Sequence, residues 1–142
     1  MPLAPAITDL EQLKENPFLA DLLAWNAGAV EKARFDRNEL TIFIAREAIR
    51  DACSRLKAQG LTDFLSDLTC ADFYPRDPRF EVAYHLLSIK RKDRVRLKVV
   101  LGGDDAVLES VTQVWPSANF FEREVFDLLA SASSAILTCA AS

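Results

Sequence analysis

Apolar and polar residues alternate most regularly in the middle of the chain. In residues 80–89 and 94–101 alternate positions are apolar, and the polar run 90–93 separates the two stretches. A period of two is typical of strands that bury one face. The pattern therefore predicts two strands joined by a turn. Their core-facing residues are expected to be Phe80, Val82, Tyr84, Leu86, Val95, Leu97, Val99 and Leu101.

Two helices are predicted in the first half of the chain. Residues 17–26 are rich in leucine and aromatic residues, which favours a short helix ending near Gly28. Residues 46–59 contain many helix-forming residues, and Gly60 favours a helix end there. Residues 1–16 contain prolines and polar residues, so we expect a flexible lead before a domain that spans residues 17–129.

Further strands are expected on both sides of the second helix. Residues 30–35 and 40–44 flank the turn-forming triplet 36–38, which predicts a β-hairpin. Residues 63–74 fit either a helical turn or a strand, and a short strand is expected within residues 107–112. In the ambiguous segment the residues expected to be buried are Leu65, Leu68 and Phe73. Together these elements predict an α+β fold, with a mixed, mostly antiparallel sheet and helices packed on one face.

Residues 115–129 concentrate aromatic and charged residues in one predicted helix. Ser117 fits the N-cap position, and a hydrophobic stripe follows it at helical spacing. The stripe consists of Phe121, Val125, Leu128 and Leu129. Glu122, Arg123 and Asp127 fall off the stripe. They could form ion pairs within the chain, or they could anchor a partner protein.

Composition limits the function classes. The 142 residues, 50% of them hydrophobic, suffice for one domain with its own core. The 17 basic and 21 acidic residues give a net charge of −4, which does not indicate binding to nucleic acid or to an acidic membrane. No apolar run approaches the roughly 20 residues of a membrane-spanning helix. The N-terminus lacks the features of an export signal or a mitochondrial presequence, so export is not expected.

The cysteines do not indicate a metal or iron–sulfur site. Cys53, Cys70 and Cys139 are odd in number and lack the Cys-x-x-Cys spacing. An iron–sulfur or zinc site needs about four closely arranged ligands. Cys53 and Cys70 are therefore interpreted as small buried residues of a protein from a reducing compartment.

No catalytic group is indicated by spacing. His85 is the single histidine and lacks a surrounding motif, so a structural role is favoured over a catalytic one. Glu122 and Glu124 point in different directions on a helix and do not form an acid–base pair. A basic cluster is interpreted as a solvated strand face or a docking surface for an acidic partner, since aromatic residues for base stacking are not interleaved with it. It consists of Lys90, Arg91, Lys92, Arg94, Arg96 and Lys98.

The predicted helix also carries a distinctive motif, Glu122-Arg123-Glu124 followed by Asp127 and two large apolar residues. Other motif segments precede it in order, namely residues 64–69, 79–88, 94–99 and 110–119. In this combination they resemble the thirty-kilodalton subunit of respiratory complex I, a family that is also known as the C subunit of bacterial NADH:quinone oxidoreductase. The resemblance extends from about residue 29 to residue 129.

The resemblance implies a structural subunit without a redox centre. Such a protein docks on the forty-nine-kilodalton quinone-site subunit in the peripheral arm and supports NADH-to-quinone electron transfer coupled to ion translocation. It lies on the cytoplasmic side of the bacterial inner membrane and meets the membrane only through the complex. The complex uses FMN, iron–sulfur clusters, NADH and quinone, none of which is expected to bind this chain. The residues expected at the partner interface are Trp115, Phe120, Phe121, Glu122, Arg123, Glu124 and Asp127.

The resemblance ends after Leu129, and residues 130–142 have a low-complexity composition. The family normally continues with a sequence like Gly-Ile-Arg-Phe-x-Gly-His-Pro-Asp-Leu-Arg-Arg-Ile. If that peptide is written in GC-rich codons and one G is deleted at its start, the new frame encodes the tail of this chain in full. We therefore expect residues 130–142 to be an out-of-frame translation of the family's C-terminal motif, and we expect the chain to fold but to assemble poorly.

Two alternatives remain open. One is the homologous subunit of a membrane-bound hydrogenase or a ferredoxin-dependent relative, and neighbouring genes for NADH- and flavin-binding subunits would favour NADH instead. The other is a free-standing protein-interaction domain, which would be a stable monomer that does not bind a forty-nine-kilodalton partner.

Overall fold

A computed structural model describes residues 7–102, 107–132 and 136–138 of the chain. The helices are α1 (Leu10–Leu13), α2 (Pro17–Asn26), α3 (Ile49–Ala58) and α4 (Ala118–Ala132), and short 3-10 helices span Ala27–Ala29 and Arg46–Ala48. The strands are β1 (Val30–Asp36), β2 (Glu39–Ile44), β3 (Phe64–Asp72), β4 (Phe80–Ser88), β5 (Asp93–Leu101), β6 (Val107–Glu109) and β7 (Ile136–Thr138).

Five strands form one sheet in the order β1-β2-β5-β4-β3. Within this sheet β2 and β5 run parallel, and the other neighbouring pairs are antiparallel. Strands β6 and β7 form a separate parallel pair. The predicted α+β fold with a mixed, mostly antiparallel sheet is therefore confirmed.

The core lies between the helices and one face of the sheet. All eight residues of β4 and β5 that were predicted to face the core are buried there. The helices add Phe18, Leu19 and Leu22 from α2 and Ile49, Cys53 and Leu56 from α3. Burial of each large apolar side chain in this way contributes about 1.5–3 kcal/mol to the stability of the fold. The apolar alternation of β4 and β5 therefore accounts for a large part of that stability.

Both predicted upstream helices are confirmed, and local chemistry explains their ends. Pro17 opens α2, and the Asn16 side chain accepts the Phe18 backbone N–H at 3.0 Å, which caps the helix. After α3 the chain turns at Gly60, whose φ of 71° is a left-handed value that favours glycine. The Gly60 N–H donates to the Lys57 carbonyl at 3.0 Å and closes the last turn.

The predicted hairpin of β1 and β2 is also confirmed. Its two-residue turn places Arg37 and Asn38 at φ values of 51° and 66°. Positive φ at both positions characterises the type I′ turn, whose twist matches that of the flanking strands.

The segment that fitted either a helical turn or a strand forms β3. Leu65 and Leu68 are buried as predicted. The prediction for Phe73 is wrong, because its side chain is 41% exposed. Phe73 follows the last residue of β3, and its ring packs against the Arg76 guanidinium, 4.0 Å from the ring centroid, instead of against the core.

The described part of the N-terminal lead contacts the domain. Ile7 and Phe35 exchange two backbone hydrogen bonds of 2.9 and 2.8 Å, and Leu13 of α1 is buried. These contacts attach residues 7–13 to the edge strand β1. The first six residues of the predicted flexible lead, and residues 133–135 and 139–142 of the predicted out-of-frame tail, lie outside the described residues.

Candidate interaction site

The segment before α4 approaches the helix through two tight turns. The Val111 carbonyl accepts the N–H groups of Val114 and Trp115 at 3.0 and 2.8 Å, and the Trp115 carbonyl accepts that of Ala118 at 2.8 Å. Helix α4 begins at Ala118, directly after the residue predicted as its N-cap. The predicted start of this helix is therefore confirmed.

Glu122 is buried inside the domain, although its charge suggested an exposed position. Its side chain is 4% exposed, and the two carboxylate oxygens accept the Val111 backbone N–H and the Ser110 hydroxyl, each at 2.7 Å. The Ser110 hydroxyl also lies 2.9 Å from that of Thr112. A buried carboxylate is tolerated when hydrogen bonds compensate for its lost hydration. Glu122 therefore fastens the preceding loop to α4.

Trp115 is buried between the same loop and α3. It is 3% exposed, and the Lys57 ammonium lies 5.2 Å from its ring centroid while donating to the Val114 carbonyl at 2.6 Å.

Burial raises the pKa of the neighbouring Cys53 thiol to about 12, against the opposing effect of the Trp115 side chain. Cys53 is therefore protonated at neutral pH and is not a reactive thiolate.

The remaining residues of the motif lie on the outside of α4. We call Phe120, Arg123, Glu124, Asp127 and Leu128 the outer face of α4; all five are exposed. Phe120 is the most prominent of the apolar pair, with 64% of its surface exposed, and its ring meets Phe121 edge to face at a centroid distance of 5.9 Å. A large aromatic side chain surrounded by charged residues is a common anchor in protein interfaces.

The buried stripe of α4 differs from the predicted one. Val125 and Leu129 are buried as expected, and Phe121 packs partly against the core. The prediction for Leu128 is wrong, because it is 39% exposed. The buried face follows Ala118, Glu122, Val125 and Leu129. Because the hydrogen bonds of Glu122 hold it inward, the helix is rotated away from the orientation that the apolar residues alone predict.

The structure thus divides the seven residues that the sequence proposed for a partner interface. Trp115 and Glu122 are used inside the domain, and Phe121 is half-buried. Phe120, Arg123, Glu124 and Asp127 remain accessible, and among the described contacts none of the three charged residues forms an ion pair. That these residues contact a partner protein stays a prediction.

The outer face of the sheet is a network of ion pairs. Glu39 accepts from Arg96 at 2.6 Å and from Arg94 at 3.2 Å, and Glu81 pairs with Arg76 at 2.7 Å and Lys98 at 3.1 Å. Three of the six residues of the predicted basic cluster therefore form ion pairs within the chain, although each carboxylate is shared between two cations.

The described parts of the chain give little indication of a metal site, a reactive side chain or a membrane-spanning helix. No group of three or more His, Cys, Asp or Glu residues there is arranged to hold a metal. Burial, with a smaller effect of Asp72, raises the pKa of Cys70 to about 11. Burial also lowers the pKa of His85, and Arg96 adds to this effect. Within the same ranges, no helix is long and apolar enough to cross a bilayer.

These features define an α+β domain whose distinctive exposed surface is an aromatic and charged helix face. Residues 42–130 match the family described as "Respiratory-chain NADH dehydrogenase, 30 Kd subunit", so more than half of the chain is covered. The chain belongs to this family.

Similar proteins carry consistent names. The C subunit of NADH-quinone oxidoreductase from Geobacter sulfurreducens is 40% identical over 104 residues, which cover 72% of this chain and 64% of that protein. The C 2 subunit of NADH-quinone oxidoreductase from Rhizobium meliloti is 43% identical over 103 residues, which cover 71% of this chain and 56% of that protein. The chain thus spans less than two thirds of these relatives' length.

Two solved structures share the fold. The trypsin-resistant fragment 1–134 of Nqo5 superposes with a TM-score of 0.60 at 34% identity, covering 67% of this chain and 78% of that one. A chain of an archaeal membrane-bound sulfane sulfur reductase superposes with a TM-score of 0.68, covering 87% of this chain and 70% of that one. Because the second is 21% identical, it supports the fold alone.

Proposed function

We propose that this chain is a structural subunit of the peripheral arm of an NADH:quinone oxidoreductase and docks on the forty-nine-kilodalton quinone-site subunit through the outer face of α4. The docked chain helps to hold the arm together near the quinone site, so that electron transfer from NADH to quinone can be coupled to ion translocation. It lies on the cytoplasmic side of the bacterial inner membrane and binds no cofactor of its own.

The observation that carries this proposal is the exposure of Phe120 beside Arg123 and Asp127 on a helix that is otherwise fixed to the core. Placing a large apolar ring in water is unfavourable, and a partner that covers it gains the corresponding free energy. The charged neighbours can orient the partner, since an exposed arginine offers two parallel hydrogen bonds to a carboxylate.

The family relationship supports this kind of complex. The relatives are named as subunits of NADH-quinone oxidoreductase, which favours that assembly over a hydrogenase-type complex and over a free-standing domain. The charged residues on the outer face have no partner among the described contacts, which fits a surface completed by another protein of the arm.

The test is co-purification of the full chain with the forty-nine-kilodalton-type subunit of the same organism, followed by titration to obtain the dissociation constant. We expect the wild-type chain to bind measurably through α4, but more weakly than a chain in which the family's C-terminal motif replaces residues 130–142. Replacing an aromatic anchor at the centre of an interface typically costs about 2 kcal/mol or more, so Phe120→Ala is expected to weaken binding about thirtyfold.

Tyr74→Ala is the matched control, because Tyr74 is also an exposed aromatic residue but lies on the β3–β4 loop. It is expected to leave the dissociation constant within about twofold of wild type. Equal losses for both variants, or no binding even when the family's C-terminal motif replaces residues 130–142, would contradict docking through α4.

A further inference from the structure

A groove lies at one end of the five-stranded sheet, between two turns. Because β2 and β5 run parallel, the β1–β2 turn that precedes β2 and the β4–β5 turn that precedes β5 lie at the same end. The groove between them has a volume of about 730 Å³. Its lining includes Phe35 near the end of β1 and Asn38 of the first turn. From the other side it includes Ile89 and Lys92 of the second turn and Arg94 of β5.

The groove combines an apolar surface with a basic rim. Ile89 is 69% exposed, and the partly buried ring of Phe35 lies on the opposite side of the groove. Lys92 and Arg94 line the rim on either side of Asp93, while Lys90 and Arg37 occupy the adjacent turn positions. An exposed isoleucine among cations can be covered by a partner that brings both an apolar side chain and negative charge.

The acidic residues around the groove already have partners within the chain. Glu39 binds Arg94 and Arg96, and Asp36 binds Arg34 at 3.1 Å. The Asp63 carboxylate accepts the Ile89 backbone N–H at 3.2 Å.

The Asp93 carboxylate likewise accepts the Arg94 backbone N–H, at 2.8 Å. By contrast, Arg37, Lys90 and Lys92 take part in none of the ion pairs found among the described residues. Asp63 and Asp93 keep their negative charges in these hydrogen bonds. The three cations outside the ion pairs outnumber these two carboxylates, so the groove is surrounded by an excess of positive charge, in a chain whose net charge is −4.

We propose that this groove is a second docking surface, which binds an acidic polypeptide segment of a partner protein that inserts an apolar side chain against Ile89 and Phe35. Complementary charge supplies orientation and speeds association, and the apolar contact supplies affinity. The groove lies on the turns of the sheet and shares no residue with the outer face of α4, so this surface goes beyond the function proposed above.

The proposal is tested with the full chain and a short fluorescent peptide, rich in glutamate around a central Leu-Phe pair, by anisotropy at low and at physiological salt. We expect saturable binding that weakens with salt. Each of the variants Lys92→Glu and Lys90→Glu is expected to weaken it about two- to tenfold, because repulsion replaces an exposed attraction. Ile89→Ala is expected to weaken it at unchanged salt dependence.

Lys32→Glu is the matched control for charge. Lys32 is an exposed residue of β1, and its register partner Phe43 lies towards the end of β2 that is far from the turn. The Lys32→Glu variant should leave peptide binding within about twofold of wild type. Phe120→Ala should also leave it unchanged, so that failure of this groove is distinguished from failure of docking through α4. Circular dichroism of each variant confirms that the fold is retained.

Three results would overturn the proposal. The first is an absence of peptide binding at low salt. The second is equal weakening by Lys92→Glu and Lys32→Glu, which would indicate a diffuse charge effect. The third is binding to vesicles containing phosphatidylglycerol without binding to the peptide, because an anionic lipid surface would then be the ligand.

Discussion

The Glu122 carboxylate and the Val111 backbone N–H lie 2.7 Å apart in the interior of the domain, joining α4 to the loop that precedes it. The same carboxylate accepts the Ser110 hydroxyl. Glu122, which the sequence predicted at a partner surface, therefore positions that surface instead, because it fixes the orientation of α4 and turns Phe120 outward.

Replacing Glu122 is expected to destabilise the domain more than replacing its exposed neighbours. Glu122→Ala leaves the Val111 N–H and the Ser110 hydroxyl buried without an acceptor. The free energy of unfolding should therefore fall by about 2–4 kcal/mol. Urea unfolding followed by circular dichroism measures this change.

Glu124→Ala provides the control for that experiment, since Glu124 lies two residues further on and is exposed. It should change the free energy of unfolding by no more than about 0.5 kcal/mol. If the two variants were equally stable, the hydrogen bonds of Glu122 would not be contributing to the fold.

The sequence predicted the sheet better than it predicted this site. In β4 and β5 the alternation of apolar residues coincides with burial at every predicted position, because both strands lie in the interior of a sheet covered on one face. The burial of Glu122 could not be predicted from hydrophobicity. One available signal was the helical spacing of Ala118, Val125 and Leu129, which includes position 122 on the same face.

The failure at Phe73 has a different cause. Its aromatic side chain indicated burial, but the strand ends one residue earlier and the loop supplies Arg76 as a stacking partner. A cation–π contact of this kind stabilises an aromatic ring that remains outside the core. The pattern of apolar and polar residues does not reveal such a contact.

For Tyr84 we expect a change in the free energy of unfolding that is opposite in sign to the change expected for Glu122. Its side chain is fully buried, and within the described part of the chain its hydroxyl has no hydrogen-bond partner. Removing an unpaired buried hydroxyl relieves a desolvation cost, so Tyr84→Phe should leave stability unchanged or raise it by up to about 1 kcal/mol. Thermal and urea unfolding measure the difference.

A matched truncation separates the hydroxyl from the ring. Tyr84→Ala removes the buried aromatic group and should cost about 3–5 kcal/mol. A marked loss of stability in Tyr84→Phe would show instead that the hydroxyl is hydrogen-bonded in solution.

The out-of-frame hypothesis for residues 130–142 predicts a specific result in the DNA. The family match ends at residue 130, next to the point where the resemblance to the family's motifs stops. Resequencing from the codon of Glu124 onward should show that one added G restores a frame encoding Gly-Ile-Arg-Phe-x-Gly-His-Pro-Asp-Leu-Arg-Arg. If no frame encodes that segment, the tail belongs to the chain as written, and the expectation of poor assembly loses its basis.

His85 gives a pH dependence whose sign follows from its position on the outer side of β4. Burial lowers its pKa from the ordinary value of 6.5, Arg96 lowers it further, and Asp67 and Glu39 act in the opposite direction. The unfolded chain therefore binds a proton more tightly than the folded one.

The contribution of His85 to stability is consequently complete above pH 6.5 and decreases as the pH falls from 6.5 towards the lower, folded pKa. Urea midpoints measured from about pH 7.5 down to about pH 5.5 should fall for the wild type and fall less steeply for His85→Gln. The lowered pKa of Glu81 affects both proteins alike, because it produces a loss of stability at pH values below its ordinary 4.5. Identical slopes in the two proteins above pH 5.5 would show that His85 titrates in the folded domain as it does in the unfolded chain.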